Sequence, residues 1–130
     1  MYDRAGWIKF MEKRNKRFIG AVYETKAAGY LEERGYQILE KNYHCRAGEI
    51  DLIAMDGGQL VFCEVKYRKD EKNGHPLEAV DRRKQRTISR CALYYMTEHG
   101  FEDLDCRFDV VGIFGEEITL IRNAFAFSGF

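Results

Sequence analysis

Asp51 is followed, after twelve residues, by the triplet Glu64-Val65-Lys66. Side chains alternate faces along a strand, so Glu64 and Lys66 share one face, and Glu49 shares a face with Asp51. Ile50, Leu52 and Ala54 then point the other way, toward apolar packing. If the two strands pair, Asp51, Glu64 and Lys66 come together. Two carboxylates brought that close repel unless a proton or a cation sits between them. A hard divalent cation resolves the conflict, because Mg²⁺ takes one or two carboxylates and keeps several waters. The plain alternative is a solvent-facing edge with a cross-strand ion pair.

Two more charges interrupt apolar stripes. Glu24 falls among Phe18, Ala21, Ala28 and Leu31 at helical spacing. Lys84 falls among Leu77, Val80, Ile88, Cys91, Ala92 and Tyr95. A lone buried charge is costly, so each needs a partner. Glu24 is placed to reach the metal or to sit at the rim of its stripe. Lys84 either reaches a carboxylate or phosphate, or snorkels to solvent. Glu49 is either an auxiliary group or a solvated strand end.

The elements that must position these residues can be read from turn signals and periodicity. The first helix is expected over Lys16–Arg34, closed by Gly35. Strands follow at Tyr36–Tyr43, Glu49–Met55 and Gln59–Tyr67, the last two joined at Asp56-Gly57-Gly58. A polar loop covers 68–76. The second helix is expected over Leu77–Glu98, and a final hairpin pairs Arg107–Phe114 with Ile118–Arg122. The order α-β-β-β-α-β-β implies an α/β fold, a mixed sheet flanked by helices. Residues 1–14 read as a basic extension, 15–125 as the domain, and 126–130 as an aromatic tail, expected to pack on its own chain or else to pair subunits.

The chain has 130 residues, enough for one small domain. Its 18 aromatic residues argue against disorder. The longest apolar run, Cys91–Met96, is too short to span a bilayer. No membrane segment and no signal peptide are expected. Four cysteines without C-x-x-C spacing read as reduced thiols in a cytoplasmic protein. A zinc site at His44, Cys45 and Cys63 matches no usual spacing.

The net charge of zero hides a segregation. Residues 1–19 carry +4, 20–65 carry −4, 66–90 carry +5 and 98–130 carry −5. Carboxylates beside cations suit a phosphodiester chemistry, in which a metal and phosphates are held together. An ordinary mixed surface is the alternative. Arg46, Arg68, Lys69, Arg83 and Lys84 are the candidate nucleic-acid contacts.

The stretches Gly20-Ala-Val-Tyr-Glu24, Gly48-Glu-Ile-Asp-Leu-Ile53, Val61-Phe-Cys-Glu-Val-Lys-Tyr-Arg68 and Arg107-Phe-Asp-Val-Val111 resemble the YraN-type family of bacterial proteins. That family is similar to the restriction-endonuclease-like, or PD-(D/E)XK, superfamily and within it to archaeal Holliday-junction resolvases. The resemblance covers about residues 15–125. It implies a three-layer restriction-endonuclease-like fold and a Mg²⁺- or Mn²⁺-dependent nuclease acting on DNA. Asp51 and Glu64 would bind metal, Lys66 would orient the attacking water, and Glu24 would match a helix-one glutamate. Ile50 stands where the superfamily often has proline. Resolvase-like relatives act as dimers, which leaves a homodimer open for this chain. A non-catalytic nucleic-acid-binding module and a structural protein that binds neither metal nor nucleic acid are the competing classes.

Overall fold

The computed structural model describes residues 4–68 and 80–129. The elements run α1 (Arg4–Glu33), β1 (Gln37–Cys45), β2 (Gly48–Asp56), β3 (Gln59–Arg68), α2 (Arg82–His99), β4 (Asp105–Phe114) and β5 (Glu117–Phe125). The expected order holds. The five strands lie in the order β1-β2-β3-β4-β5. All neighbours are antiparallel except β3 and β4, which are parallel and joined across α2. A parallel pair needs such a crossover, whereas the antiparallel pairs close through short turns.

Alternation along β3 sorts the core into two layers. Leu60 and Phe62 pack with Ile88, Cys91 and Tyr95 of α2. Val61 and Cys63 pack with Ala27, Ala28 and Leu31 of α1. The helices therefore cover opposite faces of the sheet, giving three layers. Cys45 packs on the α2 side and Cys63 is buried on the α1 side, which separates the two thiols of the conceivable zinc site.

Two helix limits differ from expectation. α1 begins at Arg4, so the basic extension is continuous with the helix. Only its last turns are buried, at Ala27, Ala28 and Leu31, and Phe18 is 71% exposed rather than part of the packed stripe. α2 begins at Arg82 instead of Leu77. Asp81 has extended backbone angles, and its carboxylate accepts from the Lys84 amide at 2.8 Å, the N-cap that starts the helix. The proposed polar loop and Leu77 lie outside the described residues, apart from Arg68 at the end of β3. The C-terminal tail packs on its own chain: the Ser128 amide donates to Ser89 Oγ at 3.0 Å, and Arg90 Nε to the Gly129 carbonyl at 3.1 Å.

Candidate active site

The β2–β3 ladder pairs Asp56 with Gln59 and continues to Leu52 with Cys63, where it stops. One step further, Asp51 and Glu64 would face each other. Instead the Val65 amide donates to Asp51 Oδ2 at 2.9 Å. A carboxylate side chain thus takes a backbone donor beyond the last strand pair, which satisfies an otherwise orphaned N–H. The alternation of β2 breaks at the same place. Leu52 and Ala54 pack toward α1 as expected, but Ile50 packs toward α2. The break falls after Asp51, and Glu49 and Asp51 both approach Glu24 of α1, opposite Ile50, as alternation expects.

Gly48 lets β2 approach α2 here. A Cβ at this position would lie 2.6 Å from Thr87 Cγ2, and its φ of 149° disfavours other residues. The close approach brings α2, with Lys84, over the end of β3. Lys84 Nζ lies 3.7 Å from Glu64 Oε1, and Lys66 Nζ lies 3.3 Å from the same oxygen. The expected shared face of Glu64 and Lys66 is observed, and Lys84 is directed inward rather than snorkelling away.

Glu64 is 4% exposed, and its Oε2 has no hydrogen-bond partner among the described residues. Burial, then the Asp51 charge, push its carboxyl up to about 7 against the pull of Lys84 and Lys66. Asp51 is raised by burial, opposed by the Val65 amide and by Lys84. Glu24 reaches in from α1. Burial comes first, and the Asp51 charge and a shared hydrogen bond with Asp51 follow, in lifting it to about 7. Three carboxyl groups thus crowd one place, each resisting ionisation.

The fit to a hard divalent ion rests on this donor set. Glu64 Oε2 has no partner among the described residues, and burial with mutual repulsion resists ionisation of Glu24, Asp51 and Glu64 together. Among the described residues no three His, Cys, Asp or Glu side chains form a ready-made metal cage. Two carboxylates with water completing the shell are the arrangement Mg²⁺ commonly takes.

The remaining candidates are more dispersed. Glu49 Oε2 lies 3.5 Å from His44 Nδ1, and both line a hollow of about 560 Å³ with Arg17, Asn42 and Glu24. Arg83 shares a smaller hollow with Lys84 and Thr87. Arg68 donates to the Tyr67 carbonyl at the end of β3. Arg46 stands apart, in a groove with Arg90 and Tyr94. Lys69 lies outside the described residues.

One polar network escaped the sequence reading. Arg107 donates to Asp109, to Asp56 at 2.6 Å, to Gln59 at 2.7 Å and to the Tyr36 hydroxyl at 2.7 Å. Tyr36 in turn donates to Asp109 Oδ2, and the Asn123 amide donates to Oδ1. Asp109 is fully buried. The network ties the β2–β3 turn to β4 and β5 and is a structural clamp. Its one sequence signal was an aspartate inside the apolar run Phe108–Phe114.

The fold and cluster define a three-layer α/β protein with a buried carboxylate–lysine site at the parting of two sheet strands. The sequence profile of the uncharacterised protein family UPF0102 matches residues 23–113, which include Glu24, Asp51, Glu64, Lys66 and Lys84. The chain belongs to this family, the YraN family. A UPF0102 protein of Lachnoclostridium phytofermentans is 53% identical over 112 residues, covering 85% of this chain and 95% of the relative. Another, from Syntrophus aciditrophicus, is 48% identical over 110 residues, covering 82% and 87%. The protein TTE1452 of Caldanaerobacter subterraneus is 45% identical, covering 88% of this chain and all of its own. No helix among the described residues is long and apolar enough to cross a membrane.

Proposed function

We propose that this protein is a Mg²⁺- or Mn²⁺-dependent phosphodiesterase acting on DNA, with branched or junction DNA in repair or recombination as its substrate class. The observation that carries this reading is the meeting of Asp51, Glu64 and Lys66 where β2 and β3 part, with Glu64 Oε2 buried and without a partner among the described residues. A surface ion pair needs no such burial, and a purely structural cluster would satisfy its oxygens internally.

Asp51 and Glu64 would hold the cation, with Glu24 as a further carboxylate. A bound divalent ion lowers the pKa of a coordinated water and offsets charge at the phosphorus. Lys66 orients the attacking water and adds positive charge beside the phosphate. Lys84 steadies Glu64 from the α2 side. Arg68, Arg83 and, beyond the described residues, Lys69 bind flanking phosphates without reading sequence. Arg46 contacts the strand further from the scissile bond. Glu49 and His44 line the α1 side of the site.

The test is cleavage of a panel of four-way, nicked, single-stranded and duplex DNA with Mg²⁺ or Mn²⁺, with Asp51→Ala and Lys66→Ala alongside. Metal-dependent cleavage lost in both variants is expected. DNA binding without cleavage, equal in all three proteins, would replace this reading with a non-catalytic binding module.

A further inference from the structure

The N-terminal half of α1 carries a second apolar face that the domain does not use. On a helix of 3.6 residues per turn, Ala27, Ala28 and Leu31 mark the side packed on the sheet. Trp7, Met11, Phe18 and Val22 centre roughly 140° away. These four are exposed, as are Ile8 and Ile19.

The spacing on that face is heptad spacing. With Ile8 at position a, the a positions are Ile8, Asn15 and Val22, and the d positions include Met11 and Phe18. Trp7 and Ile19 fall at g and e and widen the seam. Lys9, Lys13, Lys16 and Arg17 fall at b, f, b and c, on the outer side, while Glu12 at e and Arg14 at g flank the seam. β-Branched residues at a are shared with parallel two-stranded pairs, although methionine and phenylalanine stand at d in place of leucine; an asparagine at a fixes register and number of strands at some cost in stability. The six exposed apolar side chains offer on the order of 600 Å² per chain, about 1,200 Å² in a pair, the lower end of specific interfaces.

We propose that two copies of this chain associate through α1, in a parallel coiled coil over Trp7–Val22 with Asn15 facing Asn15 across the two-fold axis. The occupant is a second copy because the face is self-complementary: the same seam meets itself in register, and the basic residues at b, c and f stay clear of it. An isologous contact closes at two subunits. The pairing leaves α1 beyond Glu24 bound to its own sheet and places two domains side by side. It stands independently of the proposed chemistry.

Sedimentation velocity on the full chain over about 1 to 300 μM tests this, with dissociation expected in the micromolar range for a contact of this size. Phe18→Glu should remain monomeric throughout, and at a concentration where the wild type is also monomeric the two should share one Tm, because Phe18 is 71% exposed. Ile8→Cys should form a covalent dimer under mild oxidant, since equivalent a positions meet only in a parallel pair. A wild-type chain that stays monomeric, or a Phe18→Glu chain that still dimerises, would overturn the proposal. So would a dimer in which Ile8→Cys fails to cross-link, because its strands would be antiparallel or its contact elsewhere.

Discussion

Replacing Glu64 by glutamine should stabilise the metal-free protein at alkaline pH. In the folded chain this carboxyl is pushed up to about 7 from its ordinary 4.5 by burial and by Asp51. A carboxyl raised on folding gives stability that is complete below the unfolded value and lost as pH rises through the folded one. At pH 8 the carboxylate is ionised in both states, and the gap costs the fold about 3 kcal/mol. At pH 5 the folded group is protonated, and the cost falls to about 1 kcal/mol. The attraction of Lys66 and Lys84 is already contained in that balance and is outweighed. Because Asp51 and Glu64 titrate as an interacting pair, part of the gain will show as easier ionisation of Asp51. Urea unfolding in EDTA at pH 5 and pH 8, followed by far-UV circular dichroism, measures the difference. Trp7 lies on the protruding part of α1 and would be a poor reporter of the core. A Glu64→Gln protein that is less stable than wild type at pH 8, or that gains equally at both pH values, would show that the Glu64 carboxylate does not burden the metal-free fold.

Other outcomes follow from the same structure. Millimolar Mg²⁺ at pH 8 should raise the Tm of the wild type and leave that of Glu64→Gln unchanged, since ligand binding to the folded state adds RT ln(1 + [L]/Kd); a thermal shift in EDTA and in Mg²⁺ checks this. Arg107→Ala should cost about 3–5 kcal/mol by urea unfolding, because it leaves the fully buried Asp109 without its cation. Gly48→Ala should destabilise by about 1–3 kcal/mol through its contact with Thr87 Cγ2, and adding Thr87→Ser should restore part of that stability. Neutralising Arg68 and Arg83 should flatten the dependence of log DNA affinity on log salt by about 0.7–0.9 for each phosphate no longer neutralised; an unchanged slope in a fluorescence anisotropy titration would exclude them from the interface.

Much of this arrangement was legible in the chain. Charges at positions that should be apolar marked Glu24, Asp51, Glu64, Lys66 and Lys84, and these are the groups that converge. The element order followed from turn signals at Gly35 and at Asp56-Gly57-Gly58. What periodicity could not supply was the departure from it. Strict alternation places Ile50 with Leu52, yet the two sit in different layers, because the β2–β3 ladder ends between them and Asp51 takes the Val65 amide. The stripe through Phe18 joined two faces that a continuous helix keeps apart, and only the packing of Ala27, Ala28 and Leu31 tells them apart. The Asp81 cap was hidden in a helical pattern that begins five residues too early. The Arg107 clamp gathers Tyr36, Asp56, Gln59 and Asp109 from separate elements, and no local spacing links them.

In the proposed chemistry, Lys66 acts on a phosphodiester held at the Asp51–Glu64 site. Single-turnover cleavage of the preferred DNA in Mn²⁺, compared between wild type and Lys66→Ala with DNA and Mn²⁺ affinities measured in parallel, separates this role from a structural one. A drop of about 10²–10³ in the cleavage rate with both affinities nearly unchanged is the expected result. Equal cleavage by the two proteins would contradict it, and so would metal-independent DNA binding with no cleavage by either.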